Sequence, residues 1–191
     1  MKTFKDKEIL IFQVTWKLFS EKGFYDIKIS EIAKIAGIGK GTVYSYFTSK
    51  EELVQKMIIY NLEKAHKEII ETISKVDSPI EKLRLIGKND INRRMDILKT
   101  MKIIQMINDF DKENIKKNVF EMMNKRFIMI ENIMSDGIKK NIIQVDSSIN
   151  STILYIGTMN NALMVNNFTD NLVNMEEILE FVINLLGKEN K

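Results

Sequence analysis

The stretch GIGKGTVYSYF, residues 37–47, combines three glycines, one lysine and two tyrosines within eleven positions. Two kinds of chemistry use such residues. A glycine-rich loop can wrap its backbone N–H groups around a nucleotide phosphate. Alternatively, the segment can begin a helix that presents a cation, hydroxyl groups and bare backbone to the major groove of DNA. The residues around the stretch decide between these two interpretations.

The spacing of the glycines disfavours a phosphate-binding loop. A Walker loop requires G-x-x-x-x-G-K-[ST], and a dinucleotide turn requires G-x-G-x-x-G directly after a buried strand. Gly37, Gly39 and Gly41 form G-x-G-x-G instead. The preceding residues, SEIAKIA, have the period of a helix and not of a strand. The nucleotide interpretation therefore lacks the strand that would present its loop.

The same residues match a helix-turn-helix. Ala33 is small where two helices approach closely, Gly37 suits a tight left-handed turn, and Val43 anchors the second helix in the core. Helical proteins often combine glycine caps with surface tyrosines, so the joint spacing carries this interpretation. The predicted outward face holds a cation and several hydroxyl groups, and Lys50 follows one turn later. That face consists of Lys40, Gly41, Thr42, Tyr44, Ser45 and Tyr46.

The 191-residue chain as a whole has helical periodicity, with one proline and eight glycines, and we predict an all-α fold. An N-terminal three-helix helix-turn-helix domain, residues 1–48, should precede a C-terminal helical bundle for ligand binding and dimerisation, residues 49–191. Serine, asparagine and proline mark the helix starts, and glycine marks several ends. The predicted helices span 4–22, 29–36, 40–47, a long helix that begins at Ser49, 79–88, 90–108, 112–140, 147–168 and 174–186.

Composition limits the function further. The chain has no cysteine and one histidine, and it lacks a G-x-S-x-G or similar motif, so we expect no enzyme, metal site or cofactor. Residues 1–56 carry 10 Lys and 7 Asp or Glu, while the charges of the remainder cancel, so the positive excess lies with the predicted helix-turn-helix. Neither a signal peptide nor a membrane-spanning segment is evident, and we expect a cytoplasmic protein without a membrane partner.

The segment LFSEKGFYDIKISEIAKIAGIGKGTVYSYFTSKEEL, residues 18–53, resembles the DNA-binding segment of TetR-family transcriptional regulators. The resemblance implies a homodimeric, all-helical repressor whose C-terminal domain holds a small molecule that releases double-stranded DNA. It places the groove contacts on Gly39, Lys40, Gly41 and Thr42. The phosphate contacts fall on Tyr44, Tyr46 and Lys50.

Two residues depart from the family pattern. The family usually has serine where Gly39 stands and threonine where Lys28 stands. Glycine is still tolerated at the start of a helix, but it lacks the hydroxyl that could contact phosphate. Lys28 cannot cap a helix, so Asp26 or Ser30 could take over, while its ammonium could add a phosphate contact. The DNA footprint is therefore expected to differ at these two positions.

The last two predicted helices carry more apolar surface than one helix face can bury. The resemblance implies that they pair with their copies in a four-helix dimer interface, where Gly157 permits close approach. The alternative is a larger core within one subunit. The predicted interface residues are Ile153, Gly157, Ile178, Phe181, Val182 and Leu185.

Methionine and phenylalanine are frequent after Pro79, and methionine can line adaptable apolar pockets as well as fill cores. We predict a pocket for a small apolar ligand, with plain core as the alternative for these side chains. The other function class that fits is a helical interaction protein without a small-molecule ligand. The predicted pocket residues are Met95, Met106, Phe110, Phe120, Met123, Phe127 and Met164.

Overall fold

The computed structural model describes residues 5–22, 25–96, 98, 100, 112–168 and 174–187, with only the backbone for residues 20, 112–115, 167 and 168. The chain divides into two compact units. Unit 1 comprises Met1–Ala65 and Ile97–Phe120, and unit 2 comprises His66–Asp96 and Glu121–Lys191. The described residues are almost entirely helical, which confirms the all-α prediction. The functional boundary predicted after residue 48 stays a prediction.

The N-terminal part of unit 1 is built from three helices and the start of a fourth. They are α1 (Asp6–Lys22), α2 (Ile29–Ile35), α3 (Lys40–Tyr46) and α4 (Lys50–Ile73), whose last residues belong to unit 2. Phe12 on α1 contacts Phe47 and Tyr60, with ring centroids 5.6 and 5.4 Å apart. This core holds α2 and α3 in place through buried apolar side chains from every helix. Its members include Ile11, Leu18, Phe19, Ile27, Ile32, Ala33, Val43, Leu53, Val54, Met57 and Ile58.

The start of α4 is capped by its own side chains. The Ser49 hydroxyl accepts a hydrogen bond from the Glu52 amide at 3.1 Å. The Glu52 carboxylate reaches back to Thr48 and accepts from its amide and its hydroxyl, both at 2.6 Å. It also pairs with Lys56 at 2.8 Å. The Lys56 hydrogen bond, followed by the two Thr48 bonds, lowers the pKa of Glu52 to about 2.

The described helices of unit 2 pack around a core of their own. They are α5 (Pro79–Asn92), the later part of α6 (Lys112–Lys139), α7 (Ser148–Phe168) and α8 (Met175–Leu186). α8 packs against both α5 and α7. The predicted caps are present: Ser78 accepts from the Glu81 amide, and Asn174 accepts from the Glu176 and Glu177 amides. After α6, Ile143 pairs with Gly187 in an isolated antiparallel bridge.

The predicted break near residue 88 is wrong, because α5 continues through Gly87 to Asn92. Gly87 is needed for packing and does not end the helix. A Cβ at this position would lie 2.3 Å from Cδ1 of Leu179 and 3.0 Å from the hydroxyl of Tyr155. That hydroxyl donates a 2.6 Å hydrogen bond to the Leu83 carbonyl, and burial raises the pKa of Tyr155. The glycine lets α8 and the tyrosine approach α5 closely.

Candidate nucleic-acid interface

The turn between α2 and α3 depends on Gly37. Its φ of 66° is left-handed, a conformation that residues with a Cβ adopt only with strain. The Ile38 amide donates to the Ala33 carbonyl at 3.0 Å, and the Gly37 amide donates to the Lys34 carbonyl at 3.3 Å. These bonds satisfy carbonyls at the end of α2. The predicted left-handed turn at Gly37 is thereby confirmed, and Ala33 is buried in the core of unit 1.

α3 presents one face to solvent and the other to the core of unit 1. Val43 and Phe47 are fully buried, while Lys40, Gly41 and Tyr44 are exposed. The Lys40 ammonium lies 5.7 Å from the centroid of the Tyr44 ring. A Cβ at Gly41 would meet no atom within 4 Å. The exposed face thus offers a cation, a phenol and bare backbone, the groups predicted for the major groove.

The start of α3 also fits the prediction for Gly39. This residue is the N-cap, with an extended backbone at φ −68° and ψ 146°. Thr42 is half-buried. The Ser45 hydroxyl donates to the Thr42 carbonyl at 2.7 Å, so this hydroxyl is already hydrogen-bonded within the helix. Tyr46 is half-buried against the core beside Phe47. The prediction that Tyr46 faces outward is therefore only partly right, because the core covers part of its ring.

Lys28 and Lys50 flank α2 in different ways. Lys28 is exposed and is the N-cap of α2, without a side-chain capping bond. Neither Asp26 nor Ser30 makes a capping hydrogen bond in the part of the chain that the structure describes. Lys50 is half-buried, and its ammonium donates to the carbonyls of Tyr25 and Ile27, each at 3.4 Å. Its implied phosphate contact stays a prediction.

Comparisons with known proteins agree with this geometry. The family of bacterial regulatory proteins called the tetR family matches residues 11–57. A regulator of Bacillus subtilis, the uncharacterized HTH-type transcriptional regulator YuxN, is 43% identical over 75 residues, which are 39% of this chain and 26% of that protein. The HTH-type transcriptional regulator UidR of Escherichia coli K12 is 33% identical over 88 residues, 44% of this chain and 45% of that one.

Residues 11–57 of this chain match the DNA-binding segment of the tetR family. The family match covers α2, α3 and parts of α1 and α4, the elements that position the exposed face of α3. The chain spans less than half the length of these two curated relatives. Both relatives are named as transcriptional regulators, which is not an enzymatic role.

Solved structures extend the likeness beyond the family match. A candidate fatty acid metabolism regulator of Clostridium perfringens is 26% identical, with a TM-score of 0.67 over 93% of this chain and 96% of that one. The transcriptional regulator FadR of Bacillus subtilis, in complex with stearoyl-CoA, is 18% identical, with a TM-score of 0.71 over 93% of this chain and 98% of that one. The second comparison establishes the fold alone.

The predicted pocket residues differ in exposure, and the pocket itself stays a prediction. Met95, Phe120, Met123 and Met164 are exposed, Phe120 by as much as 70%. Phe127 is half-buried. Met106 and Phe110 lie outside the described residues. When a helix carries apolar residues on several sides, helical spacing alone does not show which of these side chains face solvent.

The predicted dimer residues differ in their exposure. Phe181, Leu185 and Ile153 are more than half exposed, whereas Ile178 and Gly157 are intermediate. Val182 is only 1% exposed and packs inside unit 2, which removes it from the predicted interface. Val182 belongs to the core because it follows Leu179 by three positions on the inner face of α8. Further exposed apolar side chains on α7 are Ile149, Leu154, Met164 and Val165.

Unit 2 also contains a buried ion pair that the sequence did not reveal. Arg126 on α6 donates to the carboxylate of Asp90 on α5. Burial raises the pKa of Asp90, although Arg126 and Arg93 act in the opposite direction. The partners are 36 residues apart, so no local pattern identifies the pair.

The described residues also bear on metal binding and on membrane insertion. In those ranges, no three His, Asp or Glu side chains are placed to hold a metal ion. None of the helices that the structure describes is long and apolar enough to cross a membrane.

Proposed function

We propose that the protein is a ligand-responsive transcriptional repressor that binds a palindromic operator as a homodimer. The observation that carries the proposal is the exposed face of α3, where Lys40, Gly41 and Tyr44 project from a helix anchored by buried Val43 and Phe47. A helix held in this way can enter the major groove while keeping its side chains in register. The family match over residues 11–57 supports the same role.

The contacts to DNA divide by chemistry. Gly39, Lys40, Gly41 and Thr42 lie at the start of α3, where residues of a recognition helix reach base edges. Tyr44, Tyr46 and Lys28 offer hydroxyl or ammonium groups to phosphate. Lys50 differs from these residues because its ammonium already lies beside two backbone carbonyls. We assign residues 1–48 to DNA binding and residues 49–191 to regulation, and we expect the protein to act in the cytoplasm.

A homodimer is supported by the exposed apolar side chains of α7 and α8. Ile153, Phe181 and Leu185 are each more than half exposed. Exposed apolar side chains in such numbers usually mark a surface that binds a partner. Gly157 has open space where a Cβ would be, so the backbone of a second copy could approach α7 there. A two-fold dimer also matches a palindromic operator, with half-sites about one helical turn apart.

The proposed ligand is a small molecule with a large apolar part. The B. subtilis FadR structure holds stearoyl-CoA, and the C. perfringens relative is a candidate fatty acid metabolism regulator. Fatty acyl thioesters are therefore the first compounds to test. A ligand releases DNA only if it binds the DNA-incompetent arrangement more tightly, and a coupling of about 1–3 kcal/mol would lower DNA affinity about 5- to 150-fold.

The test combines thermal unfolding with DNA titration. Stearoyl-CoA, stearate and free coenzyme A are compared, and each compound that raises the melting temperature is added to a protein–operator titration. We expect an acyl compound to stabilise the protein and weaken DNA binding, while free coenzyme A does neither. Stabilisation with unchanged DNA affinity would reject the switch. A protein that binds neither DNA nor acyl compounds, but captures a protein partner, would instead be the helical interaction protein considered as the alternative.

A further inference from the structure

We infer that Lys50 is a positioning residue for the helix-turn-helix and not a direct phosphate contact. Its ammonium donates to the carbonyls of Tyr25 and Ile27, the segment that leads into α2. Lys50 is itself the first residue of α4. The contact therefore joins the beginning of α4 to the beginning of α2. The inference rests on the proposed DNA-binding function and deepens it.

A further charged contact at the start of α2 is the ion pair between Glu31 and Lys22, the last residue of α1. The N-cap of α2, Lys28, makes no side-chain capping bond, and the amides of Glu31 and Ile32 donate only to the Lys28 carbonyl in the usual helical way. Ile27 is buried, so the segment is anchored on its apolar side. Lys50 supplies the charged donor for the carbonyls on its polar side. Two carbonyl oxygens held by one ammonium restrict both the position and the tilt of this segment.

The start of α4, where Lys50 lies, is itself held by hydrogen bonds. Ser49 caps α4, and Glu52 binds Thr48 through two hydrogen bonds of 2.6 Å. A change in the direction of α4 would therefore act on the segment before α2 through the Lys50 side chain. The recognition helix α3 follows α2 through the short Gly37 turn and shares its core. Lys50 thus sets which arrangement of α2 and α3 is presented to DNA.

This role and a phosphate contact predict different salt dependences. Each phosphate neutralised by a lysine releases counterions, so losing one such contact lowers the slope of log affinity against log salt by about one. A positioning residue changes the fraction of molecules that are competent to bind, and this fraction multiplies the affinity equally at all salt concentrations. The two roles can therefore be separated by titration.

The experiment compares Lys50→Met, Lys50→Arg and Lys40→Met with the unmodified chain. The probe is the duplex that the unmodified protein selects from a randomised pool, titrated over a range of KCl concentrations at a temperature where every variant is folded. We expect Lys50→Met to lose about tenfold in affinity with an unchanged slope, since charged hydrogen bonds contribute at about this level. Lys50→Arg keeps donors for both carbonyls and should stay within about threefold. Lys40→Met should lower the slope by about one.

A second measurement is independent of DNA. Hydrogen exchange of the free protein should be about tenfold faster at the Glu31 and Ile32 amides in Lys50→Met, while amides of α8 keep their rates. A slope that falls by about one in Lys50→Met, an affinity unchanged within about twofold, or unchanged exchange at α2 would each overturn the inference. Should the unmodified protein bind no duplex, the proposed function fails, and the exchange rates still decide the role of Lys50.

Discussion

Gly37 and Gly41 are four residues apart, yet their backbone conformations differ. Gly37 has a φ of 66°, whereas Gly41 lies inside α3 with open space around the position of a Cβ. Alanine at residue 37 should cost about 1–2 kcal/mol of stability, because the left-handed conformation strains a residue with a Cβ. Alanine at residue 41 should be neutral or gain up to about 1 kcal/mol, because alanine favours the helix. Urea unfolding of both variants measures the two values, and equal effects would contradict this account of the turn.

Glu52 should make stability depend on pH in the acid range. Hydrogen bonds from Lys56 and Thr48 lower its pKa from 4.5 to about 2. A lowered carboxyl pKa contributes stability above the unfolded value, and this contribution is lost as pH falls from 4.5 to about 2. The difference in unfolding free energy between the unmodified protein and Glu52→Gln should be constant near neutral pH and shrink through that window. A difference that stays constant down to pH about 2 would show that the carboxylate is not held as described.

Packing between elements, rather than local pattern, explains what the sequence did not predict. Capping residues such as Ser78 and Asn174 are local signals, so most helix starts could be predicted to within two residues. Gly87 resembles a helix end in sequence, and its role depends on Leu179 and Tyr155, which are remote in the chain. The exposed face of α3 could be predicted because Val43 and Phe47 fix its rotation. The contact of Lys50 with carbonyls 23 and 25 residues away could not be predicted, because it depends on how the chain folds back.

The Asp90–Arg126 pair should be a strong link between α5 and α6. The Asp90 side chain is 13% exposed and that of Arg126 31%, so removing the guanidinium leaves a mostly buried carboxylate without its partner. Breaking a buried pair in this way costs about 3–5 kcal/mol, and the partial exposure of Arg126 places Arg126→Met near the lower end. The matched control is Lys140→Met, which breaks the exposed pair with Asp136 and should cost less than about 1 kcal/mol. Similar costs in denaturant unfolding would contradict the packing described for unit 2.

At the scale of the whole molecule, substitutions at two neighbouring residues of α8 distinguish loss of the dimer from loss of the fold. Phe181 is 62% exposed and Val182 is 1% exposed. Phe181→Glu places a charge on the proposed dimer surface. Burying an unpaired carboxylate between two copies is unfavourable, so this variant should be a folded monomer. Val182→Glu places the charge in the core and should unfold unit 2. Sedimentation equilibrium and circular dichroism distinguish these results. A Phe181→Glu chain that remains dimeric would place the interface elsewhere.

The most direct test of the proposed function is DNA binding by the exposed face of α3. The unmodified protein, Lys40→Met and the control Lys7→Met, whose lysine is exposed on α1, are titrated with the selected duplex and with an unrelated duplex of equal length. The unmodified protein and Lys7→Met should bind the selected duplex with a Kd of about 10⁻⁸–10⁻¹¹ M, and Lys40→Met should bind more weakly with a salt slope reduced by about one. Equal binding of both duplexes at about 10⁻⁴–10⁻⁶ M, unaffected by Lys40→Met, would contradict sequence-specific recognition through α3.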